Sequence, residues 1–334
     1  MTQTHAIKVA ILDDYERAVA SHPAIAALAG QVELTCFDRP LGSFEQAAAA
    51  LSGFDAVCLI RERMAFPAAL FERLPGLKYL AFTGARNPSC DHQAAAAHGV
   101  QVSNTAGGPS KASTAELTWA LALAAAKRLP RAEAGLRAGH WRGDARQRDY
   151  PLPQMLEGKT LGLLGVGEIG QRVAAFGKAF GMATIAWSPN LTDARAADAG
   201  VERVDKADLF ARADVLSIHM VLADSTRGIV GANDLAQMRA GSILVNTSRA
   251  GLIDSAALVA AMVAAPDRTV ALDVFDTEPL SAADPLHALL ELPNAVLCPH
   301  LGYVNEPVFE AFAQGLAEVI AAWARGEPVR VINA

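Results

Sequence analysis

The 334-residue chain has little cysteine, no run of basic residues, no low-complexity tract and no solenoid-period repeat. Its four cysteines, Cys36, Cys58, Cys90 and Cys298, stand far apart without metal-ligand spacing. That argues against a cysteine-built metal site or a disulfide scaffold, and predicts small buried apolar residues of a reducing compartment. The net charge of −6, with no Lys/Arg cluster, argues against nucleic acid or an anionic membrane as the main partner. The Ala-rich run Leu117 to Ala126 is too short to cross a bilayer and stops at Lys127-Arg128. From Met1 to Ala6 the chain moves straight into a strand-like segment, so no signal peptide is expected and the cytoplasm is the expected location. What is present is 52% hydrophobic and 19% charged residues, a well-buried globular composition. The length exceeds a comfortable single core, so two domains are expected.

Short β-rich runs alternate with Ala-rich helical segments, the pattern of parallel sheets with helices on both faces. In the first part the expected strands are Ile7–Leu12, Val32–Phe37, Ala56–Ile60, Tyr79–Phe82 and Val100–Ser103. After Gly158 the series restarts with Leu161–Leu164, Thr184–Trp187, Val215–His219, Ser242–Asn246, Val270–Val274 and Val296–Cys298. A final helix, Pro307 to Arg325, has no following strand in the second sheet and is expected to return to the first domain. The expected division is 1–108 plus 303–334 for a discontinuous first domain and 109–302 for the second. A polar stretch from Arg131 to Pro153 is expected to protrude as an arm.

The most informative motif joins the first strand of the second series to its helix: Gly165-Val-Gly167-Glu168-Ile169-Gly170. Glycines between a strand and a helix let the backbone approach a pyrophosphate, which rests on the positive end of the helix. The glycine pattern alone is weak, but its placement points to a dinucleotide site. Three later segments add chemistry at successive strand ends. Arg249 follows Val245–Ser248, Asp273 and Glu278 lie in Ala271–Leu280, and His300 lies in Leu297–Gly302. Asp273 is expected inside its strand. A guanidinium can hold a carboxylate and a keto oxygen in one fork. An imidazolium can protonate a developing alkoxide, and a carboxylate can keep that ring charged and oriented. Taken singly, such residues are more often structural or solvated; together in one cofactor domain they suit reduction of a 2-keto acid by hydride.

At these residues the chain resembles the D-isomer-specific 2-hydroxyacid dehydrogenases, over nearly its whole length. The resemblance rests on four ordered motifs: the glycine loop, Asn246-Thr-Ser-Arg249, Asp273-Val-Phe with Glu278-Pro279, and Pro299-His300. It implies two Rossmann-like and flavodoxin-like α/β domains with the active site in a cleft between them. It implies Arg249 as the substrate-binding arginine, His300 as the acid/base and Glu278 as its carboxylate partner. It implies that Asp273 contacts the nicotinamide side of the cofactor. Other positions assigned to the cofactor are Gly165, Gly167, Glu168, Ile169, Gly170, Ser188, Pro189, Asn190, His219, Thr226, Thr247, Ser248 and Gly302. Gly84, Ala85 and Arg86 fall in the loop whose amides hold the substrate carboxylate in the family. A small-molecule 2-keto or 2-hydroxy acid as partner, and a homodimer using the 131–153 arm, are implied in the same way. No metal is expected.

Several positions depart from the family pattern. Arg86 stands where glycine is usual, either adding a cationic contact or pointing to solvent. Tyr303 stands at a usually small position, and His219-Met-Val replaces the more common His-x-Pro. After Trp187 the chain reads Ser188-Pro-Asn-Leu-Thr192, with no carboxylate for the adenosine ribose and no adjacent cation for a 2′-phosphate; Arg195 is the first basic residue. NAD is therefore expected, with NADP open. A non-catalytic, NADH-sensing protein resembling the corepressors of this fold is the alternative reading, and the intact Arg249, Glu278 and His300 set favours the enzyme.

Overall fold

In a computed structural model the described residues are 6–142 and 152–333. They divide into two units: Met1–Ser110 with Val304–Ala334, and Lys111–Tyr303.

The first unit contains β1 (Lys8–Leu12), β2 (Glu33–Cys36), β3 (Ala56–Leu59), β4 (Tyr79–Phe82) and β5 (Gln101–Asn104), paired in parallel in the order β2-β1-β3-β4-β5. This is the flavodoxin-like winding. Strands β3 and β4 are buried at every position, as strands covered on both faces must be, and that is why they read as continuous apolar runs. The helix Glu306–Ala324 covers this sheet: Trp323 stacks on Tyr79 with ring centroids 4.8 Å apart, and the Tyr79 hydroxyl donates to the Val319 carbonyl at 3.4 Å. Asn305 starts that helix by accepting from the Val308 amide at 3.1 Å, with Pro307 fitting the first turn. Beyond the helix, Val331 bridges Ser103 antiparallel, and Asn333 accepts from the Val102 amide at 2.7 Å. Burying each large side chain of this core stabilises it by roughly 1.5–3 kcal/mol.

The second unit contains β6 (Thr160–Leu164), β7 (Ala183–Trp187), β8 (Glu202–Arg203), β9 (Val215–Ile218), β10 (Ile243–Asn246), β11 (Thr269–Leu272) and β12 (Ala295–Leu297). All are parallel, in the order β12-β11-β10-β9-β6-β7-β8. From β8 to β11 this is the Rossmann winding, with β12 added at one edge. The order reverses between β6 and β9, and the crevice at the carboxyl ends of those strands is where such sheets bind ligands. The helix Ser110–Lys127 packs into the core of this unit through Trp119, whose indole N–H donates to the Val173 carbonyl of helix Glu168–Ala179 at 3.1 Å.

The structure corrects the sequence reading in four places. Asp273 is not inside a strand: β11 ends at Leu272, and Asp273 follows it. The strand β8 was not foreseen, because two exposed charged residues at a sheet edge carry no apolar signal. The proposed arm begins as helix, Leu129–Arg137; residues 143–151 of that arm lie outside the described residues. Cys58 and Cys90 are buried thiols, but Cys36 and Cys298 are only partly so. Among the described residues no helix is long and apolar enough to cross a membrane, and no group of His, Cys, Asp or Glu could hold a metal ion.

Candidate active site

The glycine loop leaves β6 at the point where the sheet winding reverses. Gly165 takes φ +102, and a Cβ there would lie 2.6 Å from the His219 carbonyl oxygen, so a larger residue would drive β6 and β9 apart. A Cβ on Gly170 would meet the Gly165 carbonyl oxygen at 2.4 Å. Gly167 differs: a Cβ there would meet no atom within 4 Å, and as the N-cap of helix Glu168–Ala179 it supplies no side-chain acceptor. The first amides of that helix are therefore not taken up by a capping side chain. These residues fit the diphosphate of a dinucleotide. Ile169 is half-buried and packs against the core of this unit.

His219 closes the floor beneath the loop. Its amide donates to the Leu164 carbonyl at 2.8 Å, and its Nε2 lies 2.9 Å from the Ser217 hydroxyl. Burial pushes its pKa down to about 4, so the ring is neutral at physiological pH. At the end of β7, Ser188 is half-buried, and Pro189 and Asn190 are exposed. Arg195 comes closer to this turn than its sequence distance suggests: it sits on the next helix, and its guanidinium donates to the Asn190 carbonyl at 2.8 Å.

Three hydroxyls assigned to the cofactor are engaged with the protein. Thr247 shares a buried 2.8 Å hydrogen bond with Thr118, Ser248 donates to the Met220 carbonyl at 2.7 Å, and Thr226 donates to the Val221 carbonyl at 2.7 Å. They shape the loops beyond β9 and β10. Asn246 completes the second loop: its side chain accepts from the Ser248 amide at 2.9 Å and donates to the Arg249 carbonyl at 3.0 Å. The Arg249 guanidinium is half-buried and donates to the Ser248 carbonyl at 2.7 Å.

Beyond β11 and β12 two carboxylates hold the histidine loop. Asp273 is fully buried; its two oxygens accept from the Leu301 amide at 2.7 Å and the Gly302 amide at 2.8 Å. Burial raises its pKa to about 6 against the lowering pull of those bonds. Asp273 thus acts on His300 by fixing the loop that carries it. Thr114 donates to the Gly302 carbonyl at 3.0 Å. Held this way, His300 takes φ +55, and its Nδ1 lies 2.5 Å from Glu278 Oε2. Glu278 Oε1 accepts from the Phe275 amide at 3.0 Å. Burial alone would raise the Glu278 pKa, but the hydrogen bond and charge of His300, the Phe275 amide and the charge of Arg249 together hold it below the ordinary carboxylate value. The carboxylate is therefore ionised at neutral pH. Tyr303 is buried, with its ring edge-on to the imidazole at 5.5 Å between centroids. Arg249, Glu278 and His300, 51 residues apart in sequence at their extremes (300 − 249), thus form one electrostatic group.

In the first unit, the loop after β4 presents Gly84, Ala85 and Arg86. Gly84 takes φ +92, its amide donates to the Thr105 hydroxyl at 3.2 Å, and a Cβ would strike the Arg61 guanidinium at 1.9 Å. The Ala85 carbonyl accepts from Asn104 at 3.1 Å, and Arg86 is exposed. The Arg61 amide donates to the Thr83 hydroxyl oxygen at 2.8 Å, and its carbonyl accepts from Asn87 at 2.8 Å, stitching the loops after β3 and β4 together.

Residues 119–302 match the family model described as D-isomer specific 2-hydroxyacid dehydrogenase, NAD binding domain. The glyoxylate reductase of Aeropyrum pernix is 38% identical over 268 residues, covering 79% of this chain and 78% of that protein. The D-3-phosphoglycerate dehydrogenase of Mycobacterium tuberculosis is 36% identical over 303 residues, covering 91% of this chain but 55% of that protein. The chain thus spans about half the length of this second relative. Among solved structures, phosphoglycerate oxidoreductase from Vibrio cholerae o395 gives a TM-score of 0.89 at 39% identity, covering 96% of this chain and 99% of that one. With the glycine loop at the sheet's winding reversal and the ordered arginine, glutamate and histidine behind it, the chain belongs to the D-isomer-specific 2-hydroxyacid dehydrogenase family and is an oxidoreductase that uses NAD.

Proposed function

We propose that the protein reduces a small 2-keto acid to its D-2-hydroxy acid, with Arg249 binding the substrate, His300 as acid/base and Glu278 as the partner of His300. The observation that carries this reading is the 2.5 Å contact between His300 Nδ1 and an ionised Glu278. With Nδ1 committed to the carboxylate, Nε2 is the nitrogen left to face substrate. NADH, when bound at the glycine loop, supplies the hydride that adds to the keto carbon. Arg249 grips the substrate carboxylate and orients the keto oxygen; its positive charge stabilises the oxygen as electron density builds there. His300 gives its Nε2 proton to that oxygen, and Glu278 stabilises the imidazolium from which the proton leaves. In the reverse direction the neutral ring takes the proton back. Gly84, Ala85 and Arg86 are proposed to receive the substrate carboxylate through the backbone amides of their loop.

The named relatives act on glyoxylate and on a phosphorylated hydroxy acid, so both substrate sizes belong in the test. Glyoxylate, hydroxypyruvate, pyruvate, a bulkier 2-keto acid and 3-phosphohydroxypyruvate should be assayed with NADH and NADPH in parallel. Turnover of at least one with NADH is the expected result. An inactive protein that still binds NADH would favour the non-catalytic reading.

We further propose a homodimer, formed through the face that begins at helix Leu129–Arg137. Leu129, Leu136, Trp141, Leu152 and Met155 are 54%, 58%, 69%, 87% and 65% exposed, large apolar side chains that a second copy would remove from water. Sedimentation equilibrium should give twice the chain mass, and Leu136→Glu with Trp141→Glu should shift it toward the monomer. A wild-type monomer at assay concentration would remove the proposal.

A further inference from the structure

The helix that opens the cofactor site carries an acidic residue where the diphosphate is to be received. Glu168 is the first residue of helix Glu168–Ala179, directly after the open N-cap Gly167. A carboxylate there is stabilised by the helix dipole, but it places a negative charge beside a ligand that brings two more. The structure pairs it. Lys111 is bonded to the Glu168 carboxylate, while Arg172, one turn along the same helix, approaches its other oxygen only to 4.0 Å. Lys111 comes from a different element, the first turn of helix Ser110–Lys127. A cation there opposes its own helix dipole, and no acidic residue in that turn compensates it. The lysine side chain is 58% and the glutamate 53% exposed, so the pair contributes little to folding stability. Its position is unfavourable for its own helix dipole, and what offsets this is its bond to Glu168, the first residue of the helix that opens the cofactor loop.

We infer that Lys111 is a positioning residue for the cofactor: by neutralising Glu168 it allows the amides of the glycine loop to receive the diphosphate without a facing negative charge. The inference rests on NAD binding at this loop and not on the catalytic roles of Arg249, Glu278 or His300. NADH binding therefore tests it separately from turnover.

The experiment measures the NADH dissociation constant by fluorescence titration, with the thermal midpoint of the cofactor-free protein alongside. Lys111→Met should weaken NADH binding about tenfold at low ionic strength, and the loss should shrink at about 0.5 M salt, where exposed charges are screened. Lys111→Arg should bind within about threefold of wild type, since the charge is kept. Adding Glu168→Gln to Lys111→Met should restore binding to within about threefold of wild type, because the charge to be neutralised is gone. The cofactor-free midpoint should stay within about 2 °C for all variants, as expected for an exposed pair. An unchanged dissociation constant in Lys111→Met would overturn the inference. So would a loss that persists undiminished in the double variant, which would make Lys111 a direct ligand or a structural residue.

Discussion

Arg249→Lys is expected to lose about 30- to 1000-fold in kcat/KM, roughly 2–4 kcal/mol of transition-state stabilisation, while NADH binds within about twofold of wild type. The reasoning is geometric. Lysine keeps the positive charge, so long-range attraction for an anionic acid survives. The planar fork does not, and with it goes the ability to hold a carboxylate oxygen and the keto oxygen from one group. The Asn246 side chain, bonded to the Arg249 carbonyl and the Ser248 amide, fixes the backbone there, so the substitution alters the head group on a loop that stays in place. Turnover should fall as well as substrate affinity, because the contact to the keto oxygen strengthens as charge develops. A lysine variant with wild-type kcat/KM would remove Arg249 from the substrate site.

Glu278→Gln is expected to move both limbs of the pH profile to lower pH. Reduction needs the imidazolium, and oxidation of the hydroxy acid needs the neutral ring. The ionised carboxylate 2.5 Å from Nδ1 favours the charged ring. A neutral amide of the same shape removes that preference, so reduction should fail at a lower pH and oxidation should begin at a lower pH. The two limbs report one proton on one group and must move together. Desolvation of the loop is the same in both proteins and largely cancels. His219 does not confuse the measurement, since burial keeps that ring neutral down to about pH 4. The assay is kcat/KM against pH in both directions for both proteins. Limbs that stay in place, with chemistry at least partly rate-limiting, would separate Glu278 from the proton-transfer step.

The strands were the most legible part of the sequence, for a physical reason. A parallel sheet covered on both faces forces uninterrupted apolar runs, and Tyr79–Phe82 has the same limits in sequence and in structure. The two charged residues of β8 pair only at an edge and left no such trace. The residues of the proposed active site were legible because strand ends and glycine turns fix where loops begin. What their side chains are committed to was not. Thr247 and Ser248 are assigned to the cofactor from sequence, and their bonds to Thr118 and the Met220 carbonyl could not be read there. Asp273 is assigned to the cofactor from its motif, and nothing in that motif shows that its two oxygens also hold the amides of the histidine loop. Lys111 gave no sequence signal at all, because its meaning depends on Glu168, 57 residues away. Arg195 reaches Asn190 only once the turn and the following helix have formed. Each of these depends on tertiary proximity, which periodicity and spacing do not encode.

The return of helix Glu306–Ala324 to the first sheet has a consequence for how the chain is made. Tyr79 stacks on Trp323, so the first 110 residues leave the ribosome with one face of their sheet still bare. The segment Lys111–Tyr303 emerges complete before the covering helix does, and its own core needs nothing synthesised later. The Rossmann unit can close while the nascent N-terminal unit waits with Tyr79 and its neighbours exposed. Until translation passes Ala324, that half of the molecule is the part that holdase chaperones would recognise.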